Sequence, residues 1–122
     1  MKKVVFFMML LFAAIPLFAD NGQQAIQLHP RNIGHSGLPL YPADQPSVYY
    51  DMYEDEIIVY GSGEASYYDV EIISMSTLDV MLSTCINGTF DTIDVSSLPD
   101  DCYQIVLTSS LNNIFEGYFY NY

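Results

Sequence analysis

His29 and His35 are the two imidazoles of the chain, six residues apart around Pro30 and Gly34. A metal centre or a general base needs further ligands or an acid at set spacing, and no Cys, Asp or Glu lies close to either in sequence. The spacing predicts two histidines on a surface loop. Asp51, Glu54, Asp55 and Glu56 crowd one short stretch, and hard oxygen donors on a turn are what Ca²⁺ takes. No Gly-bearing loop of the EF-hand kind accompanies them. They are a weak Ca²⁺ candidate, and a solvated acidic hairpin tip is the expectation. Of the catalytic signatures G-x-S-x-G, a Cys/His pair, H-E-x-x-H and the Gly-rich phosphate loop, the chain approaches one, at Gly61-Ser62-Gly63, which lacks every partner and reads as a loop between strands. No catalytic residue, cofactor or metal site follows, and no enzyme is expected.

The ends of the chain say more. Met1-Lys2-Lys3 is a positive start, Val4 to Leu17 is apolar apart from Pro16, and Leu17-Phe18-Ala19 closes on a small residue, the anatomy of a cleavable signal peptide over residues 1–19. Cleavage is expected before Asp20. The apolar run is shorter than the roughly 20 residues that a spanning helix needs, and no Cys follows it to carry a lipid. The mature chain is expected to be exported to the periplasm, cell surface or medium without membrane insertion. Residues 20–122 then form a single domain. Lys2 and Lys3 leave with the peptide, so Arg31 alone stands against 15 acids, a formal charge of −14. Such a field repels phosphate backbones and anionic headgroups, which argues against nucleic-acid binding. Cys85 and Cys102 enter an oxidising compartment, where one bridge is the default; strand order argues against it below.

The elements that must position these residues are strands. The mature composition favours Tyr, Ile, Val, Thr and Phe over helix formers. Residues 20–24 are polar and expected to fray. Ala25 to His29 reads as a first edge strand ended by Pro30, and 30–46 is a Pro/Gly-rich loop with Pro30, Pro39, Pro42 and Pro46. Short runs bounded by turns follow: Val48–Asp51, Glu56–Tyr60, Tyr67–Ser74, Leu78–Ile86, Phe90–Val95, Cys102–Ser109 and Ile114–Tyr120. Asn87-Gly88 predicts a type I′ hairpin between the fourth and fifth of these. Alternation puts Tyr68, Val70 and Ile72 inside, with Leu78, Val80 and Leu82 on the next strand, then Ile93 and Val95, Tyr103, Ile105 and Leu107, and Phe115 and Phe119. Asp79, Cys85 and Cys102 face out, and Gly117, on the inner face, marks a bulge or a close approach of the opposing sheet.

Ser96-Ser97-Leu98-Pro99-Asp100-Asp101-Cys102-Tyr103-Gln104-Ile105-Val106-Leu107 resembles the strand entry L-P-x-G-x-Y-x-(I/V)-x-(I/L) of immunoglobulin-like and fibronectin-like sandwiches, with Asp101 in place of the usual Gly. The resemblance implies that Leu98 plugs the core and that Tyr103 is a structural tyrosine corner, its hydroxyl bonding back to upstream backbone. With the signal peptide, Ile26-x-Leu28, the Pro-rich connection, Pro46-Ser47-Val48-Tyr49-Tyr50-Asp51 and the order of hairpins, the mature chain resembles small secreted Bacteroidetes proteins of domain-of-unknown-function family 3244. That implies an all-β, immunoglobulin-like antiparallel sandwich of about seven or eight short strands and nothing about activity. In that order the Tyr67–Ser74 strand separates Cys85 from Cys102, so both are expected as free thiols.

Asn87-Gly88-Thr89 fits N-x-T, but the hairpin accounts for it. Asp91-Thr92-Ile93 resembles the O-glycosylation triplet of the same bacterial group, with Thr92 facing out. The closing Tyr118-Phe119-Tyr120-Asn121-Tyr122 has the aromatic ending of an outer-membrane barrel strand. The runs are too short for one, and Asp69, Glu71 and Glu116 interrupt the outer faces. Tyr118 and Tyr120 are therefore expected as an outward row near a sheet edge, a contact patch for a protein or glycan at the cell surface. A non-catalytic binding module leads, a structural subunit docking or polymerising by edge-strand addition is the alternative, and an enzyme is a distant third.

Overall fold

The computed structural model describes residues 22–31 and 43–121. The expected signal peptide, His35 and most of the 30–46 stretch lie outside the described residues. Within them are nine strands: β1 (Gln23–Ile26), β2 (His29–Pro30), β3 (Ser47–Asp51), β4 (Glu56–Tyr60), β5 (Tyr67–Ser74), β6 (Val80–Asn87), β7 (Phe90–Asp94), β8 (Asp101–Ser109) and β9 (Ile114–Asn121). They form two antiparallel sheets, ordered β1-β3-β4-β7 and β2-β9-β8-β5-β6, and no helix occurs among the described residues. This is an all-β, immunoglobulin-like sandwich.

The core lies between the sheets because alternating residues on each inner face are apolar. Val48 and Tyr50 of β3, Ile57 and Val59 of β4 and Ile93 of β7 meet Tyr68, Val70 and Ile72 of β5, Tyr103, Ile105 and Leu107 of β8 and Phe119 of β9. Each such side chain contributes about 1.5–3 kcal/mol when fully withdrawn from water. Phe119 stacks on Tyr103 with ring centroids 5.5 Å apart and meets Tyr50 of the other sheet at 5.2 Å. Outside the strands, Asp44 is buried: its carbonyl accepts from the Tyr68 hydroxyl at 2.7 Å, and its carboxylate accepts from Ser109 Oγ and from Asn113 Nδ2 at 3.0 Å. The chain before β3 is thereby pinned to the end of the five-stranded sheet, and the desolvated carboxylate keeps its hydrogen bonds.

Several expectations are corrected. Gln23 and Gln24 are not frayed but pair with Asp51 and Tyr50. The first strand is two: β1 joins the four-stranded sheet, and after Gln27 and Leu28 the chain enters the other sheet, where His29 and Pro30 pair with Glu116 and Phe115. Gly117 permits this hand-over, because a Cβ there would lie 2.7 Å from Ile26 Cγ2 and 2.8 Å from the Gln27 carbonyl oxygen. Asn87-Gly88 is no hairpin turn: β6 pairs with β5 and β7 with β4, so the dipeptide crosses between sheets, and neither residue has positive φ. Gly88 is needed for close approach instead, since a Cβ there would meet the Ala65 carbonyl oxygen at 2.0 Å. Leu78 and Val80 are exposed and Leu82 only half-buried. A bulge opposite Ile72 and Ile73 shifts the register, pairing Ile73 with Val80 and turning Val80 to the outer face.

Candidate binding surfaces

The five-stranded sheet turns one face to solvent, and β9 is held on it through β8. Leu98 is buried in the core before β8 begins, and the Tyr103 hydroxyl donates to the Pro99 carbonyl four residues upstream, fixing the entry to the strand. Burial, and secondly the charge of Asp101, pushes the Tyr103 phenol above its ordinary value. Asp101 needs no left-handed backbone at the position where the sandwich pattern carries Gly. Its carboxylate accepts from Ser76 Oγ at 2.6 Å and Ser74 Oγ at 2.7 Å, tying the β5–β6 turn to the start of β8. Those two bonds, Ser76 first, hold the Asp101 carboxyl below its usual range.

In the β8–β9 register Tyr118 stands opposite Gln104 and Tyr120 opposite Cys102. Tyr118 is 50% exposed and Tyr120 61%. The strand positions make the row continuous: Gln104 pairs with Ile73 and Ile73 with Val80, so one rung runs from Tyr118 across four strands. Beside it, Gln104 Nε2 donates to Glu116 Oε1 at 2.7 Å and to the Tyr118 hydroxyl at 3.4 Å, while Arg31 forms an ion pair with Glu116. β9 is second from the edge, but β2 covers only its Phe115–Glu116 stretch.

The remaining sequence candidates are dispersed. Asp51 is largely buried, and its Oδ1 accepts the amides of Tyr53 at 3.0 Å and Glu54 at 3.1 Å, an Asx turn that closes the β3–β4 hairpin. Asp55, in left-handed backbone, accepts from the Tyr50 hydroxyl at 3.3 Å, and that phenol also donates to Asn121 Oδ1 at 2.8 Å. Burial first, then the Asp55 charge, raises the Tyr50 phenol far above its ordinary value. The four acids Asp51, Glu54, Asp55 and Glu56 are thus not gathered on a common point, and among the described residues no group of three or more His, Cys, Asp or Glu could hold a metal ion. His29 is exposed on β2. Thr92 is exposed on β7, opposite Ile58. Cys85 and Cys102 are free, on strands flanking β5. Desolvation, then a hydrogen bond and charge from Asp69 across the ladder, raises the Cys85 thiol.

Two surfaces escape a reading of single strands. On the outer face of the four-stranded sheet the Tyr60 ring lies 5.9 Å from Tyr49 and 5.2 Å from Phe90, with Tyr60 45% and Phe90 50% exposed. Alternation along β3, β4 and β7 gives each residue its face, but only the register brings the three together. The second is an open groove of about 340 Å³ between β6 and β7, lined by both strands, including Leu82, Ile86, Asp91 and Ile93.

The fold and these faces define a small immunoglobulin-like β-sandwich. The chain is similar to the crystal structure of a DUF3244 family protein with an immunoglobulin-like β-sandwich fold from Bacteroides vulgatus ATCC 8482, at a TM-score of 0.65 and 16% identity, over 82% of this chain and 99% of that one. No protein-family model and no curated protein matches the chain.

Proposed function

We propose that the chain is an exported, non-catalytic binding module, acting alone or as an accessory to a complex at the cell surface. The observation that carries this reading is the pair Tyr118 and Tyr120, exposed on one sheet face with Gln104 of β8 opposite Tyr118 to fix a polar contact. Rings with apolar faces and polar tips anchor interfaces at low entropic cost. A protein or glycan is the partner, and the absence of Trp favours a protein. The acidic balance works against nucleic acid. In the double variant Tyr118→Ser with Tyr120→Ser, the thermal midpoint stays near that of the parent while retention of a surface-fraction partner is lost. A large loss of stability in that variant overturns the patch.

A second reading, a subunit that docks by edge-strand addition, is favoured by one observation: β6 is a long sheet edge without a charged residue from Val80 to Asn87. An enzyme is the least supported of the three.

A further inference from the structure

Exposed sheet edges are templates for further strands, and proteins blunt them with short length, charge, Pro or inward-pointing charged residues. Three of the four edges here are blunted. β1 has 4 residues and β2 only 2, the latter including Pro30. β7 has 5, with Asp91 facing inward beside Ile93. β6 is the exception. It has 8 residues, VMLSTCIN, with no charge and no Pro, and Val80 is 52% exposed.

Its free hydrogen-bonding groups can be assigned. The Gly88 amide donates to the Ser66 carbonyl, and the Asn87 amide turns away to the Asp91 carboxylate at 3.2 Å. On the other side of β5, Ser110 N donates to the Tyr67 carbonyl, so Tyr67 faces β8 and Tyr68 faces β6. Alternation then points the backbone of Ile86, Thr84 and Leu82 at β5 and that of Cys85 and Ser83 outward. The groove between β6 and β7 lies beneath this edge. Thr84 pairs with Val70, whose side chain is in the core, yet is itself exposed, in the wall of this groove.

Charge selects the occupant. Asp91 and Asp94 line the groove, and Asp69 and Glu71 stand on the outer face opposite Cys85 and Ser83. The single arginine among the described residues is engaged with Glu116, two strands away from β6's neighbour β5. A second copy would bring the same acids to the same edge. We propose that β6 receives an extended cationic segment of another protein, which adds antiparallel to it. Its backbone pairs with Ser83 and Cys85, alternate apolar side chains settle over Leu82, Ile86 and Ile93, and Lys or Arg side chains reach Asp91 and Asp94. This deepens the edge-addition reading by naming the chemistry of the strand that arrives.

The probe is acetyl-Lys-Thr-Val-Thr-Val-Thr-Lys-amide, whose lysines and valines share one face of a strand, with the same peptide carrying Glu for Lys as its control, titrated into the purified protein while amide exchange is followed residue by residue. The cationic peptide slows exchange of the Ser83 and Cys85 amides, and its affinity falls steeply on going to about 0.3 M salt; the acidic peptide does neither. Ser83→Pro removes an outward donor without touching the β5 ladder and weakens binding about tenfold or more. Asp91→Asn with Asp94→Asn, which leaves the edge intact, weakens it several-fold and flattens the salt dependence. Absence of protection at Ser83 and Cys85 overturns the proposal together with edge addition. Equal binding of the acidic peptide, or protection of β6 by self-association at rising protein concentration, overturns the cationic partner and leaves edge addition standing.

Discussion

Cys85 and Cys102 sit on opposite flanks of β5: Cys85 pairs with Asp69, and Cys102 lies one position beyond the Ser74–Tyr103 pair. The offset of about six residues along β5 puts them roughly 20 Å apart along the strands, beyond the ~7 Å that a disulfide spans. Alkylation of the native protein without reductant therefore labels both thiols. An intact mass two protons light, with neither labelled, contradicts the strand order.

Tyr103 reaches Pro99 with a hydroxyl that Phe lacks. In Tyr103→Phe the ring keeps its place against Phe119, and the part-buried hydrogen bond to the Pro99 carbonyl is lost, costing about 1 kcal/mol. The urea midpoint falls with an unchanged slope, and the thermal midpoint drops by about 4–8 °C per kcal/mol. Leu98→Ala, which opens a cavity in the same corner, costs about 2–5 kcal/mol. A neutral Tyr103→Phe shows that the hydroxyl does not hold the entry to β8.

Asp101 gives the fold an acid dependence. Its carboxyl is held below the usual value by the Ser76 and Ser74 hydroxyls, so the native state binds this proton less readily than the unfolded chain. The contribution to stability is in place above the ordinary carboxylate value of about 4 and fades as the pH falls through the folded value beneath it. Asp94, lowered by Ser96, acts in the same sense. Urea midpoints measured between about pH 2.5 and 6 fall less on acidification in Asp101→Asn than in the parent. Parallel profiles remove Asp101 from the account.

Intact mass of protein recovered from its native host tests export and modification together. The expected chain begins at Asp20, and a hexose-scale increment lost in Thr92→Ala places a glycan on β7. Retention of residues 1–19 in a membrane pellet, or an unshifted mass, removes one or the other.

Much of this architecture is legible in the sequence because it is written locally. Tyr67–Ser74 and Glu56–Tyr60 have the bounds that their turn residues set, and the inner faces of β5, β8 and β9 follow from period-two alternation. What escapes is what depends on partners remote in sequence. Leu78, Val80 and Leu82 alternate as a buried set would, but β6 has a neighbour on one side only and a bulge reverses its parity. Asn87-Gly88 carries a strong hairpin signal, and no local feature reveals that its two strands belong to different sheets. The Tyr49–Tyr60–Phe90 cluster exists only in the register, and Asp44 is buried by groups 24 to 69 residues away in the chain.

The hand-over from β1 to β2 also sets an order of events. His29 and Pro30 pair with Glu116 and Phe115 of β9, so a strand made early closes against one made much later in the chain. Contacts that distant make folding slow, and a partly made chain has no final strand to receive them. Such a topology leaves the segment around β2 without a sheet to join until β9 is available to receive it.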